Sequence, residues 1–122
     1  MFYDALSILK PSVDNIVSGV KNIEIRSWVP REIPLKNVVL VQNEKYLHHK
    51  DDIDSGIAMA IVDIIDVLPW TRDEYLKQGP DITIGKKWSP GYYMWVINNV
   101  RPLNKKIICD AKKGIYKVNI NL

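Results

Sequence analysis

Residues 5–28 read ALSILKPSVDNIVSGVKNIEIRSW, and the spacing of apolar residues changes twice within them. ALSIL (5–9) is a short apolar run with the character of a strand. Val13, Ile16, Val17 and Val20 then fall at offsets of three, four and seven, the apolar stripe of a helix. Pro11 suits its first turn and Gly19 its end, which predicts a helix of about two turns. From Asn22 the period drops to two. Ile23 and Ile25 share one face, while Asn22, Glu24, Arg26 and Trp28 share the other. A plain surface strand has no need of Lys21, Glu24, Arg26 and Trp28 together. A pocket for a planar, polar or anionic ligand can use all four.

The rest of the chain reads mostly as strands. Two prolines in VPREIPLKN (29–37) end the first alternation, and NVVLVQ (37–42) is a strand apolar on both faces. NEKYLHHKDDIDSG (43–56) is polar and aperiodic, an expected exposed loop. IAMAIVDIIDVLP (57–69) is apolar at both parities and rich in Ile and Val, as a central strand is. Asp63 and Asp66 interrupt it, and each needs a partner there, Arg101 or a lysine. TRDEYLKQ (71–78) predicts a short helix, with Thr71 as N-cap and Glu74 completing a capping box. GPDITIGKKWSPG (79–91) is turn-rich, YYMWVINNVRPL (92–103) is a second long strand, and residues 105–122 add one or two more around Gly114.

With 122 residues the chain fits one domain, expected over 1–122, able to bury a core without disulfides or metal. A net charge of +3 permits an anionic partner without requiring one. The lone Cys109 points to a reducing compartment. MFYDALSILKP lacks the arrangement of a signal peptide, and Asp63 and Asp66 break the longest apolar run, so a cytoplasmic protein with no membrane partner is expected. His48, His49, Asp51 and Asp52 stand together, but adjacent residues of an extended loop cannot all converge on one ion. No phosphate loop, nucleophile elbow or zinc spacing is present, so neither a metal nor a cofactor is expected.

The opening segment, with Gly19, Lys21, Glu24 and Arg26 followed by Trp28, resembles the start of the ASCH domain, a branch of the PUA-like superfamily. SPGYYMWVINNVRPL and KKGIYKV resemble that family's closing strands. The resemblance implies an α+β fold, a small PUA-like β-barrel of mostly antiparallel strands with short covering helices, and a cleft beside the first helix. It also implies a partner among RNAs or modified nucleosides and nucleotides. Some relatives resemble single-strand ribonucleases, others amidohydrolases acting on N4-acetylcytidine. The latter carry a lysine and, three positions on, a threonine; this chain has Lys21 and Glu24.

Three readings follow. In the first, the protein binds RNA or a nucleotide: Glu24 reads polar base edges, Lys21 and Arg26 hold phosphate or carbonyl oxygens, and Trp28 or Tyr93 offers a stacking face. In the second, the same cleft is a small hydrolase, with Lys21 activating water or steadying an oxyanion and Glu24 accepting a proton. In the third, the residues form a structural ion-pair network within an interaction module. A fully paired Glu24 beside an open basic groove favours binding. A cleft filled by its own side chains favours the third reading.

Overall fold

The computed structural model describes residues 1–121. Along the chain run β1 (Phe2–Leu9), α1 (Ser12–Ser18), β2 (Ile23–Arg26), β3 (Leu35–Asn43), β4 (Ile53–Pro69), α2 (Arg72–Lys77), α3 (Pro80–Thr83), β5 (Tyr93–Lys112) and β6 (Ile115–Asn119). The strands form one sheet in the order β2-β5-β4-β3-β1-β6. β1 and β3 are parallel, and every other pair is antiparallel. The fold is thus α+β and mostly antiparallel, as expected.

The expected closed barrel is corrected to a rolled, open sheet, because β2 and β6 are its two edges. In a flat sheet β2 and β1 would stand about 19 Å apart, four strand spacings. Yet Arg26 Nη2 donates to the Ser7 carbonyl at 2.7 Å. The sheet has therefore rolled until the β2 edge faces β1, and a side chain rather than a ladder bridges the seam. The rolling resides in β4 and β5, whose pairing shifts register near Ala58, Ile61 and Ile64, each shift a bulge that adds local twist. β5 is one 20-residue strand where the sequence suggested a break after Leu103.

Leu6, Ile8, Val13, Ile16, Val38, Leu40, Val62, Ile64 and Trp95 fill the inside of the roll. α1 plugs it with Val13 and Ile16. Gly19 ends the helix in the left-handed region (φ 89°), so Val20 leaves the predicted stripe and is half exposed. Outside the roll, Ile23, Ile25 and Met94 pack with Trp70 under α2 and α3. β2 is consequently buried on both faces, although its alternation reads as half exposed. Thr71 caps α2 as predicted, its Oγ1 accepting from the Glu74 N–H at 3.1 Å. α3 went unread in the turn-rich segment because it is a single turn.

Asp63 is paired as the sequence required. It accepts from the Asn37 N–H (3.1 Å), the Asn99 amide (3.0 Å) and Arg101 Nη2 (2.9 Å), and Lys36 lies 3.6 Å away. Asn37 and Asn99 are both left-handed (φ 59° and 51°), so the carboxylate pins two irregular points of the roll. Asp66 needs no such partner, since the last register shift turns it outward into solvent. The Asn37 N–H, then the Asn99 amide, hold the Asp63 carboxyl below its ordinary 3.8; burial opposes them and Arg101 and Lys36 assist. A depressed folded pKa stabilises above the unfolded value and is lost as pH falls through the folded one. In urea denaturation, the stability difference between wild type and Asp63→Asn should hold from neutral pH down to about pH 5 and close in more acid solution.

No helix among the described residues is long and apolar enough to cross a membrane.

Candidate functional site: the open seam

β1 pairs with β6 only as far as Leu6, opposite Ile115, so Ser7 to Leu9 have no strand on that side. β2 pairs only with β5. Between these two free edges lies a cleft of about 500 Å³. The 43–47 loop and the β5–β6 turn border it, together with the segment from Ile82 to Lys86. Charged side chains occupy its floor, and one of them, Arg26, bridges it to Ser7 O.

Lys21 reaches the floor directly from the helix end. The N–H groups of Val20 and Lys21 both donate to Asn15 O at 3.1 Å, which fixes the exit of the chain. Its ammonium lies 3.4 Å from Ser12 Oγ and 3.2 Å from Glu24 Oε1. The other Glu24 oxygen accepts from Arg26 Nε at 3.0 Å and lies 2.9 Å from Nη2 in an ion pair. Side-chain exposures of 3% for Lys21 and 8% for Glu24 mark a buried ion pair, and Arg26, at 22%, opens to the cleft. Both oxygens of Glu24 are engaged by cations. Lys21 keeps one N–H beyond its two partners, and Arg26 Nη1 has no partner among the described residues.

Trp28 packs edge-on to buried Trp95, ring centroids 4.7 Å apart at 82°, and its remaining surface lines the cleft. Tyr93 does not line it. Tyr93 stands opposite Arg26 in the ladder and packs with Trp95 against the inner core. Tyr92, on the opposite face, borders the cleft instead and holds Lys86 Nζ 4.7 Å from its ring centroid. The alternation pairs Tyr92 with Met94 and Tyr93 with Trp95 correctly. Which pair faces the cleft depends on the direction of rolling, and no local pattern encodes that.

The structure adds residues that sequence reasoning passed over. Lys45 and Tyr46 stand on the β3–β4 loop, Lys112 at the end of β5, Lys113 on the β5–β6 turn, and Lys86 after α3. With Lys21 and Arg26 they set six cations around the cleft against one lining carboxylate, Glu24. The loop is built rather than loose. Asp54 Oδ2 accepts from the Lys45 N–H (3.0 Å), the Glu44 N–H (3.3 Å) and the Asn43 amide (3.3 Å). Desolvation raises the Asp54 pKa, but these bonds and one from Ser55 outweigh it and leave the carboxyl below its ordinary value. Asp52 likewise caps the N–H groups of His48 and His49 at 2.9 Å, a structural task for the histidine–aspartate cluster. Lys113 Nζ donates to His48 O at 2.9 Å, tying the two rims together. Tyr46 is left 63% exposed beside the cleft, edge-on to His48. Cys109 lies outside the cleft lining, and burial raises its thiol pKa, so it is no activated nucleophile.

No curated protein matches the chain. The family pattern of the ASCH domain matches residues 6–107, from β1 through most of β5, and so includes Lys21, Glu24, Arg26 and Trp28. The chain belongs to the ASCH domain family.

Proposed function

We propose that the protein binds single-stranded RNA, or a nucleotide-sized part of it, in the cationic seam between β1 and β2. One observation carries this reading: six basic side chains surround an open cleft whose single carboxylate is already neutralised, in a chain of net charge only +3. Such a cleft concentrates positive potential where the chain as a whole has little. Lys21 and Arg26 keep unused donors for phosphate or carbonyl oxygens. Trp28, Tyr92 and exposed Tyr46 offer π-faces, and stacking on such a face contributes about 1–3 kcal/mol per base.

The hydrolase reading is weaker on the same geometry. A proton acceptor at Glu24 would first have to give up contacts to two cations, and no other carboxylate among the described residues lines the cleft. The interaction-module reading has less support still, since the cleft is not filled by its own side chains.

The test is a titration of labelled single-stranded RNA over a range of salt. Neutralising each phosphate of a single strand contributes about −0.7 to the slope of log K against log salt. Lys45→Ala and Lys112→Ala, both exposed residues, should each weaken binding for all sequences and flatten that slope by roughly 0.7–1. RNA and N4-acetylcytidine should remain intact throughout. Cleavage or deacetylation that disappears in Lys21→Ala would replace this reading with the hydrolase. Binding with an unchanged slope in both variants would remove the phosphate contacts from the seam.

A further inference from the structure

The β2–β5 ladder has a phase that can be read from one bond. Ile97 N donates to Asn22 O at 2.9 Å, and these two residues stand directly opposite each other in the continued register. Hydrogen-bonded and non-bonded pairs alternate along an antiparallel ladder. Glu24 with Trp95 and Arg26 with Tyr93 are therefore bonded pairs, while Ile25 with Met94 is not. The opposite flank of β5 agrees: Trp70 N donates to Tyr92 O at 2.9 Å, so alternation sends the main-chain groups of Met94 towards Leu68 on β4.

It follows that the N–H and C=O of Ile25 point away from the sheet, off the free edge of β2. Ile25 lines the cleft and is only 6% exposed. β2 has no ladder partner on that side, and no loop or side-chain hydrogen bond among the described residues reaches either atom. Buried peptide groups nearly always have a partner. Here a donor and an acceptor sit side by side at the cleft wall, between the side chains of Glu24 and Arg26.

We propose that the main chain of Ile25 reads the polar edge of one unpaired base seated in the seam. Its N–H donates to a ring nitrogen or carbonyl of the base, and its C=O accepts from the neighbouring ring N–H or amino group. This rests on the RNA-binding reading above and assigns the task first given to Glu24 to the peptide beside it. Every standard base carries an acceptor next to a donor on its Watson–Crick edge. The contact is thus permissive in sequence. It excludes bases whose edge is occupied by pairing or blocked by methylation.

The experiment compares three oligonucleotides with the full chain: pentauridylate, its 3-methyluridine counterpart and its 5-methyluridine counterpart. The first methyl replaces the edge N–H; the second lies off that edge, and neither changes charge or phosphates. The 3-methyl oligonucleotide should bind about tenfold more weakly or worse, and the 5-methyl one as tightly as the parent. In a ¹⁵N-resolved spectrum the Ile25 amide proton should move downfield with pentauridylate and stay in place with the 3-methyl form. Equal affinity for all three, equal weakening by both methyl groups, or an unmoved Ile25 amide would overturn the inference while leaving RNA binding intact. Absence of any binding to pentauridylate at low salt would overturn both.

Discussion

Glu24→Ala is expected to destabilise the protein by about 3–5 kcal/mol, the usual effect of removing one partner from a buried ion pair. Among the described residues Glu24 is the only carboxylate lining the cleft, and it holds the Lys21 ammonium at 3.2 Å and Arg26 Nη2 at 2.9 Å. Without it, Lys21 at 3% side-chain exposure keeps only Ser12 Oγ, a neutral partner, for a full charge. Arg26 loses the anchor that aims it across the seam at Ser7 O. Thermal unfolding followed by circular dichroism should show a Tm lower by roughly 12–20 °C for a domain of this size. A change smaller than about 1 kcal/mol would mean that the pair is hydrated and contributes as a surface pair does. Glu24→Gln should fall between the two, because the amide keeps the shape and one acceptor but not the charge.

Trp95→Ala is the second large expected effect, again about 3–5 kcal/mol, and it should reach the cleft as well as the core. Trp95 is fully buried in the roll, and its Nε1 donates to Trp28 O at 3.1 Å. Removing the indole leaves a cavity, frees the Trp28 carbonyl and withdraws the surface against which the Trp28 ring stands edge-on. Urea denaturation should report the stability loss. RNA affinity, measured where the variant is still folded, should fall together with the order of Trp28, visible in near-ultraviolet circular dichroism. Trp95→Phe keeps an aromatic ring, though a smaller one, and loses the hydrogen bond, so it should restore part of the stability and only part of the Trp28 signal. If Trp95→Ala proves milder than about 2 kcal/mol, the inner core around it collapses more readily than its burial implies.

Much of this arrangement is legible in the sequence, and the parts that are not share a cause. The helix stripe of Val13 and Ile16, the stop at Gly19, the cap at Thr71 and the pairing of Asp63 with Arg101 all follow from local chemistry or from a rule about buried charge. So does the joint placement of Lys21, Glu24 and Arg26. Burial of Glu24 does not, because its face of β2 is closed only when the sheet rolls and brings Lys21, Ser12 of α1 and the Ser7 carbonyl of β1 to that side. Whether Tyr92 or Tyr93 faces the cleft is hidden in the same way: parity assigns faces, but only the hand of the roll tells inside from outside. The rim lysines come from three separate segments. Nothing local marks Lys45, Lys86 and Lys112 as neighbours until β4 and β5 curl and bring those segments to one end.

The clasp from Arg26 to Ser7 also sets how the mouth of the cleft is held. A backbone ladder fixes spacing and register at every rung, so a barrel closed that way has a mouth of one width. A long side chain reaching a single carbonyl fixes the gap at one point only. The width of the mouth at that point thus rests on one guanidinium, the same one whose Nε donates to Glu24.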